Sequence, residues 1–403
     1  MPSSDNQTRS QPRYMELTVG PAGADIQGTD DKALQAGADY LKRLGGGTLH
    51  ILPGTYTMRN ALYLHAGVDV KGSGEDTVLH KAPSVCTPLV RDADWYENQV
   101  EVADPSGFHP GCGIVLRCRH NGELQVVKDT VVAVNGPLLS LSRRLEKNMW
   151  LDEEATAATL FPLLTAEGVD DVEVSDLVLD GNLSANEELN GNYVGGLFIQ
   201  HCDRHFYQNV IARNYNGDGF SFQVCDDIHF DRCGAENNAN LGFHPGSGSQ
   251  RPVFRHCRAT GNSQGIFFCW GVTHGLVEDC TCTDNRDYGI SIGHRDTDNR
   301  IVDTVIEANH KVGLLFRRPE SPFRGGHRNT IEGCRLNDNG FAAQGIGIDI
   351  QPDTHDITIG DCAFADSGQK RQRLGIHIAA GATGIETPGN SFNGLEQEQQ
   401  QEQ

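Results

Sequence analysis

The sequence predicts an all-β solenoid of stacked parallel coils, and three observations support this fold class. The first is a repeat: segments of the form Gly-Φ-x-Φ, where Φ is usually apolar, recur at Gly219, Gly242, Gly265, Gly289, Gly313, Gly345 and Gly375. The first four steps are 23, 23, 24 and 24 residues, and the last two, 32 and 30, contain loop insertions. The second observation is the period of two within each segment, which indicates strands. The third is the repeat length, which leaves room for three short strands per coil.

Two further series run in step with these segments. One contains Asn214, Asn238, Asn262, Asn285, Asn309, Asn339 and Ser367, and the other contains Cys233, Cys257, Cys280, Thr304, Cys334 and Cys362. Side chains on successive coils lie about 4.8 Å apart, where amides can bond one another and thiols pack as small apolar groups. We interpret both series as structural ladders, because no CxxC pair accompanies the cysteines to suggest a metal site.

The N-terminal part of the chain predicts a cap and the first coils. Residues 31–44 (DKALQAGADYLKRL) place apolar residues on one helical face before three glycines. Together with GGGT, LPGTY and KGSGEDTVL, this run resembles the start of the pectate-lyase-like β-helix superfamily. The resemblance implies a right-handed, three-sided parallel β-helix with a capping helix. It also implies a carbohydrate substrate, without choosing between lyases, hydrolases, epimerases and tail-spike depolymerases.

We predict a single β-helix domain over residues 21–395. A flexible segment, 1–20, precedes it, and a disordered tail, 396–403 (EQEQQQEQ), follows because so polar a run cannot bury a core. Within the domain we place the capping helix at about 31–44, a β insertion at about 92–161 and regular coils at about 169–390.

Charge and composition restrict the partners. The formal net charge is −21, which disfavours nucleic acid and anionic membranes, and no apolar run is long enough to span a membrane. No secretory signal is visible, so the chain as given is predicted to be cytoplasmic, and secreted or periplasmic if it is trimmed. The twelve cysteines predict mostly reduced, buried thiols. Both a monomer and a homotrimer are compatible with the sequence.

The strand after each recurring glycine predicts a line of outward side chains on one face. This line and its flanking positions would form a groove for an oligo- or polysaccharide, because aromatic rings suit pyranose faces and polar neighbours bond the hydroxyls. Plain coverage of the solenoid surface would place the same residue types there. The predicted substrate-binding residues are Gln223, Gln264, Phe267, Trp270, Tyr288, His294, Arg295, Arg318 and His377.

The leading catalytic hypothesis is β-elimination on a uronic-acid-containing glycan. Arg317 and Lys311 would clamp the sugar carboxylate, and His244 would act as the base. His244 lies in GFHPGSGS, where Pro245 breaks the inward apolar pattern, and such local exceptions often mark function. A surface or hydrogen-bonding role for His244 is the alternative.

Two other functions remain open. A glycoside hydrolase or glycosyl-transferring enzyme would use two of Asp218, Asp287 and Asp349, since hydrolysis normally needs two carboxylates across the bond. A non-catalytic carbohydrate-binding or structural β-helix would bind glycans without turnover. No cofactor is required by these hypotheses, and acidic loops such as 296–299 (DTDN) carry oxygen ligands of the kind that Ca²⁺ takes.

Overall fold

A computed structural model describes residues 15–402 and shows a parallel β-helix with three faces. One face, which we call the groove sheet, is an 11-stranded parallel sheet within this described part of the chain. Its strands are Leu62–Tyr63, Leu164–Glu167, Gly195–Gln200, Asp218–Gln223, Leu241–Pro245, Gln264–Phe267, Tyr288–Ile292, Val312–Phe316, Ile346–Ile350, Leu374–Ile378 and Gln397–Gln401. The predicted fold class is confirmed.

The other two faces form a continuous 22-stranded sheet among the described residues. The first of these faces contains Gly47–Ile51, Val68–Lys71, His229–Asp231, Val253–Arg255, Leu276–Glu278, Arg300–Val302, Thr330–Glu332, His355–Gly360 and Thr383–Glu386. The second contains Gly54–Met58, Thr77–Lys81, Gly234–Glu236, Arg258–Thr260, Thr281–Thr283, Val305–Glu307, Arg335–Asn337, Ala363–Ala365 and Ser391–Asn393. Glu173–Asp180 and Phe206–Arg213 run across both faces, while Glu16–Gly20 and Ile26–Gln27 begin the stack.

The predicted capping helix spans Asp31–Arg43 and closes the N-terminal end of the solenoid. Asp30 caps it by accepting a 3.0 Å hydrogen bond from the Ala33 N–H, which satisfies one of the unpaired donors of the first turn. The buried face of the helix presents Leu34, Ala38 and Leu41 to the first coil. No helix in residues 15–402 has the length and apolar character needed to cross a membrane.

The predicted β insertion is an antiparallel sheet with its own apolar core. It begins six residues earlier than expected and consists of Cys86–Pro88, Gln99–Glu101, Gly113–His120, Glu123–Asn135, Leu138–Leu141 and Thr156–Ala158. Short 3₁₀ helices occur at Leu151–Glu153, Leu183–Ala185 and Pro322–Arg324.

The buried asparagine ladder exists, but its ends differ from the prediction. Asn238 to Asn339 stack as expected, whereas Asn214 adopts a left-handed corner conformation and Tyr215 takes the ladder position. At the other end Gln372, and not Ser367, bonds Asn339, because an insertion lengthens that coil. The cysteine series is buried as predicted, with Thr304 among its members.

Both predicted flexible ends require correction within the described residues. Glu16–Gly20 forms a strand paired with Gly47–Ile51, although residues 1–14 lie outside the described part. Gln397–Gln401 pairs in parallel with Leu374–Ile378 and adds a last strand to the groove sheet. Composition alone predicted disorder, but the exposed edge of the preceding coil supplies backbone hydrogen-bond partners.

Replacing one ladder amide tests the contribution of the stack. Asn285 donates to Ala259 O and Asn309 Oδ1 and accepts from the Asn262 N–H, at 3.1, 2.9 and 3.1 Å. Asn285→Ala leaves buried partners unsatisfied, so we expect it to lower the free energy of unfolding by about 2–5 kcal/mol in urea denaturation. The exposed Asn98→Ala is the control, and equal stabilities of the two variants would contradict a stabilising ladder.

Lys81 is an unusual member of the interior because its side chain is completely buried. Its Nζ donates to Asn216 Oδ1 at 2.9 Å and lies 4.7 Å from the ring centre of Tyr215 and 5.0 Å from that of Phe161. None of these groups is a carboxylate, and burial lowers the pKa of Lys81 to about 7.

The buried lysine predicts a rise in stability at alkaline pH. Between about pH 7 and the ordinary lysine value of 10.5 the unfolded chain binds more protons than the folded chain, so stability increases with pH across this window. Lys81→Met should remove about 3–5 kcal/mol of this rise and stabilise the chain at neutral pH. Urea unfolding followed across that window measures both effects, with the exposed Lys42→Met as control; an unchanged pH slope would contradict the assignment.

Candidate functional site

One outward residue from each coil of the groove sheet lies directly over its counterpart in the previous coil. The strand register sets this line and confirms the coil alignment predicted from the glycine repeat. The line runs Thr165, Phe198, Ser221, His244, Phe267, Ser291, Leu315, Asp349, His377 and Gln400.

A depression of about 550 Å³ opens on the C-terminal half of this line. Its lining includes three cationic side chains, one carboxylate and one aromatic ring: Lys311, Arg317, Arg318, Asp349 and Tyr288. A second depression of about 520 Å³ shares Gln344, Ile346 and Gln351 with the first and adds His377 and Glu402. The two depressions are therefore continuous along the groove sheet.

Asp349 and His377 form a hydrogen-bonded pair in the groove. The Asp349 Oδ1 to His377 Nδ1 distance is 2.7 Å, and Gln351 donates to Asp349 Oδ2 at 2.8 Å. The other ring nitrogen, Nε2, lies 3.4 Å from Glu402 Oε1. Asp349 is buried and His377 is half-buried, so a buried carboxylate orients an imidazole that lines the second depression.

The neighbouring arginines Arg317 and Arg318 have opposite surroundings. Arg317 donates to Ser291 Oγ and Phe268 O, both at 2.6 Å, and approaches Asp296 Oδ2 at 3.2 Å. Arg318 is exposed, and no side chain in the described part of the chain pairs with it. Arg318 is therefore the free positive charge of the groove, while Arg317 is held by the protein.

Asp296 explains why Arg317 is held. The carboxylate is completely buried and accepts N–H bonds from Gly271, Val272 and Gly293 at 2.9–3.0 Å. Burial raises the pKa of Asp296 to about 6, although Arg317 and the backbone bonds oppose that rise. A buried carboxylate of this kind needs a counter-charge, and Arg317 supplies it.

Lys311 is also paired. Its Nζ lies 2.5 Å from Asp287 Oδ1 and 5.9 Å from the ring centre of Tyr288, and Asp287 accepts a further bond from Ser263. The predicted clamp and base, Lys311, Arg317 and His244, are thus held by separate partners. Lys311 and Arg317 nevertheless line one depression, so their joint action as a carboxylate clamp stays a prediction.

His244 and Asp218 lie on the predicted line but beneath a covering loop. His244 is 3% exposed and Asp218 is 1% exposed, and Asp218 Oδ2 lies 2.7 Å from His244 Nδ1. The loop containing Gly191 covers them: Gly191 O accepts from Ser221 Oγ at 2.8 Å, and a Cβ at Gly191 would overlap the Asp218 carboxylate. The expectation of His244 as an accessible base in the groove is therefore wrong.

Aromatic residues form a shelf beside the line. The rings of Trp270 and His294 stack with centroids 3.9 Å apart, and Trp270 is 52% exposed. Trp270 has a left-handed backbone conformation, which is uncommon for a bulky side chain and marks local strain. Phe267 is less available, because the Arg317 guanidinium lies 4.1 Å from its ring centre.

The remaining predicted binding residues differ in accessibility. Gln223 is buried and accepts the Ser247 N–H at 2.9 Å, so its position is structural. Gln264 is half-buried, and its Oε1 lacks a partner among the described residues. Arg295 is exposed beyond the strand end, on the same rim as His294.

Three residues near the line escaped prediction because they come from distant parts of the chain. Lys128 reaches over from the insertion, and its Nζ lies 3.7 Å from the ring centre of Phe198. Glu402 directly follows the last strand, in a segment predicted to be disordered. Asp296 was considered only as part of an acidic loop, and nothing in the sequence distinguished it from Asp298.

The suggested Ca²⁺ loop does not have free carboxylates. Asp296 is engaged as described, and Asp298 forms an ion pair with Arg328 at 2.8 Å. Within residues 15–402 no three His, Cys, Asp or Glu side chains are grouped so that they could hold a metal ion. The DTDN segment therefore does not fit a calcium site.

The contrast between the two arginines is testable by unfolding. Arg317→Ala leaves Asp296 buried without its counter-charge, so we expect a loss of about 3–5 kcal/mol in the free energy of unfolding. Arg318→Ala, one residue away and exposed, should change it by less than about 0.5 kcal/mol. Similar losses in urea denaturation would show that the assigned roles are wrong.

Comparisons with known proteins agree with this architecture. A family model described as "Right handed beta helix region" matches residues 186–319, and no curated protein sequence matches the chain. The structure is similar to the A-module of the Azotobacter vinelandii mannuronan C-5 epimerase AlgE4, at 14% identity over 92% of this chain and 93% of that chain, with a TM-score of 0.56.

Two further solved structures are similar over nearly the whole chain. A glycoside hydrolase has 10% identity, coverages of 94% of this chain and 96% of that chain, and a TM-score of 0.54. PfbA, a surface adhesin of Streptococcus pneumoniae, has 10% identity, coverages of 91% and 87%, and a TM-score of 0.54. Combined with the observed register, these likenesses show that the chain has the fold of a right-handed parallel β-helix.

Proposed function

We propose that this chain is a carbohydrate-active enzyme that binds a uronic-acid-containing glycan along the groove sheet and removes the proton next to the sugar carboxylate. The observation that carries the proposal is the unpaired, exposed Arg318 in a groove shared with the Asp349–His377 pair. The names of two similar structures, a mannuronan epimerase and a glycoside hydrolase, support a saccharide as the ligand.

The distribution of charged side chains in the groove supports an acidic sugar as the ligand. The chain carries a net charge of −21, so its mean field repels a polyanion. A uronate would bind only where local cations overcome that field, and Arg317, Arg318 and Lys311 line one depression. Because Lys311 and Arg317 already have carboxylate partners, the substrate carboxylate would pair with Arg318.

The Asp349–His377 pair supplies a base of suitable geometry. With the Nδ1–H held by Asp349, the neutral ring of His377 presents Nε2 as the proton acceptor once a substrate displaces Glu402. Neutralisation of the uronate by Arg318 acidifies the C5 proton. His377 would take that proton, and the electron pair would then form a C4–C5 double bond as the C4–O4 bond breaks. The departing O4 would take up a proton from solvent.

A paired-carboxylate hydrolase has less support. Of its three candidates, Asp218 is buried beneath the Gly191 loop and Asp287 is paired with Lys311. Asp349 is the one that lines the groove, where it orients His377. Elimination, or epimerisation through the same proton removal, needs only one base and one carboxylate clamp.

The Trp270–His294 shelf would hold sugar rings along the groove. An exposed indole offers its face to pyranose C–H groups, and its neighbours supply hydrogen bonds. Arg318 follows the strand that ends beside this shelf, so both features lie on the same rim of the sheet. A chain of several sugars would contact both.

The experiment is a panel of uronic-acid and neutral polysaccharides incubated with the purified chain. Ultraviolet absorbance detects unsaturated products, reducing-end assays detect hydrolysis, and proton NMR detects epimerised residues without cleavage. We expect turnover with uronate glycans, an increase in KM for Arg318→Ala, and a loss of about 100-fold or more in kcat for His377→Gln.

Arg300→Ala is the matched control, because Arg300 is exposed on a face other than the groove sheet. It should leave turnover unchanged. Reducing ends alone, from neutral glycans, would replace the proposal with hydrolysis. Binding of glycans without any product would replace it with a non-catalytic role.

A further inference from the structure

Four aliphatic side chains form a small cluster on the outer side of the groove sheet. They come from three consecutive coils and are Val312, Leu315, Ile346 and Leu374. The cluster is separate from the solenoid core, to which Leu314 and Ile348 of the same strands belong. The partly buried ring of Tyr288, one coil earlier, packs against it. The cluster is therefore a feature of the outer surface and not an extension of the core.

The two depressions of the groove share this aliphatic cluster as their floor. Ile346 lines both depressions, Val312 and Leu315 line the first, and Leu374 lines the second. The charged and amide side chains that also line the first depression are Lys311, Arg317, Arg318, Asp349, Gln344 and Gln351. A ligand in the groove would thus meet an apolar floor surrounded by charged and polar groups, which is the usual composition of a specific binding pocket.

The strand register places the floor beside the Asp349–His377 pair. The paired positions form two rows, of which the first is Val312, Ile346 and Leu374 and the second is Leu315, Asp349 and His377. The rows are three residues apart along each strand, which is about 10 Å at 3.3 Å per residue. A sugar whose C5 proton faces His377 would therefore place one of its ring substituents over the floor.

The chemistry of the floor indicates which part of a glycan it would take. A bare pyranose packs its C–H face on a flat aromatic ring, whereas branched aliphatic side chains give an uneven surface without hydrogen-bonding atoms. A sugar hydroxyl placed there would lose its water partners and gain no others. A methyl group placed there would leave water for an apolar surface, which is favourable. The floor therefore favours a sugar hydroxyl that carries a small apolar group.

We propose that the groove accepts uronic-acid-containing glycans that carry O-acetyl esters, and that Val312, Leu315 and Ile346 contact the acetyl methyl group. The inference rests on the proposed function, because it places the same glycan in the same groove. An O-acetyl ester leaves the uronate carboxylate charged, so that carboxylate still pairs with Arg318. Gln344 lines both depressions, and its amide can donate to the ester carbonyl.

The test compares polymannuronate and polygalacturonate before and after chemical O-acetylation of the same batches, so that chain length and carboxylate content are matched. Isothermal titration calorimetry measures binding to the full chain, and ultraviolet absorbance and proton NMR measure turnover. We expect at least about tenfold tighter binding of an acetylated form and a similar gain in kcat/KM, because one methyl group in a fitted apolar pocket has an effect of this size.

Two substitutions test the floor itself. Val312→Thr and Leu315→Asn introduce hydrogen-bonding atoms at nearly the original side-chain volume, so each should reduce the preference for the acetylated glycan to about threefold or less. Val305→Thr is the matched control, because Val305 is a half-buried valine on a face other than the groove sheet. It should leave the preference unchanged.

The comparison with the unmodified chain stays decisive if a substitution disturbs the fold. Equal Kd values for the acetylated and unacetylated forms would overturn the inference, and turnover of both would leave the proposed function standing. Tighter binding of the acetylated form without any product would support the inference and contradict the proposed function. Binding of neither form would overturn both.

Two further outcomes would also overturn the inference. One is a preference for the acetylated form that both Val312→Thr and Leu315→Asn leave unchanged in the folded state. The other is a dimer in sedimentation experiments that Leu315→Asn dissociates, since a second copy of the chain would then cover the floor.

Discussion

The parallel pairing of each coil with the next is the constraint on which the rest of this structure depends. Every strand of the groove sheet except the first and the last bonds the strand one coil before it and the strand one coil after it, so a residue's neighbours are set by its position in the coil. Adjacent strands are about 4.8 Å apart, which brings Asp349 and His377 into contact although 28 residues separate them. The same spacing stacks the buried amides from Asn238 to Asn339. Site chemistry and core stability therefore follow from one register.

Much of this register could be predicted from the sequence, because the signal is local and repeated. The Gly-Φ-x-Φ segments and the capping helix each depend on residues close together in the chain, and the structure confirms both. Asn214 shows where the prediction fails. It was assigned to the buried ladder, but the next residue, Tyr215, takes the ladder position and Asn214 is the left-handed corner residue beside it. The strand at 397–401 was missed because its partner, and not its composition, makes it a strand.

The sequence predicted which side chains point outward from the groove sheet, but not which of them solvent can reach. Outward alternation correctly placed His244, Phe267 and His377 on one line. Whether such a side chain meets solvent depends on loops and on partners from other coils. The Gly191 loop covers His244, and Asp296 withdraws Arg317 from the groove. Such pairings join residues 20 to 30 positions apart with no spacing signal, so Arg317 and Arg318 looked equivalent in sequence.

Glycines beside the line explain how polar groups occupy so crowded a surface. A Cβ at Gly191 would overlap the Asp218 carboxylate, and one at Gly246 would overlap the Gln223 amide. A Cβ at Gly293 would approach Arg317 within 3.0 Å. The absence of a side chain at each glycine thus leaves room for a polar side chain from a neighbouring coil. These glycines therefore mark where the surface of the solenoid accommodates polar side chains of neighbouring coils, among them Asp218 and Arg317.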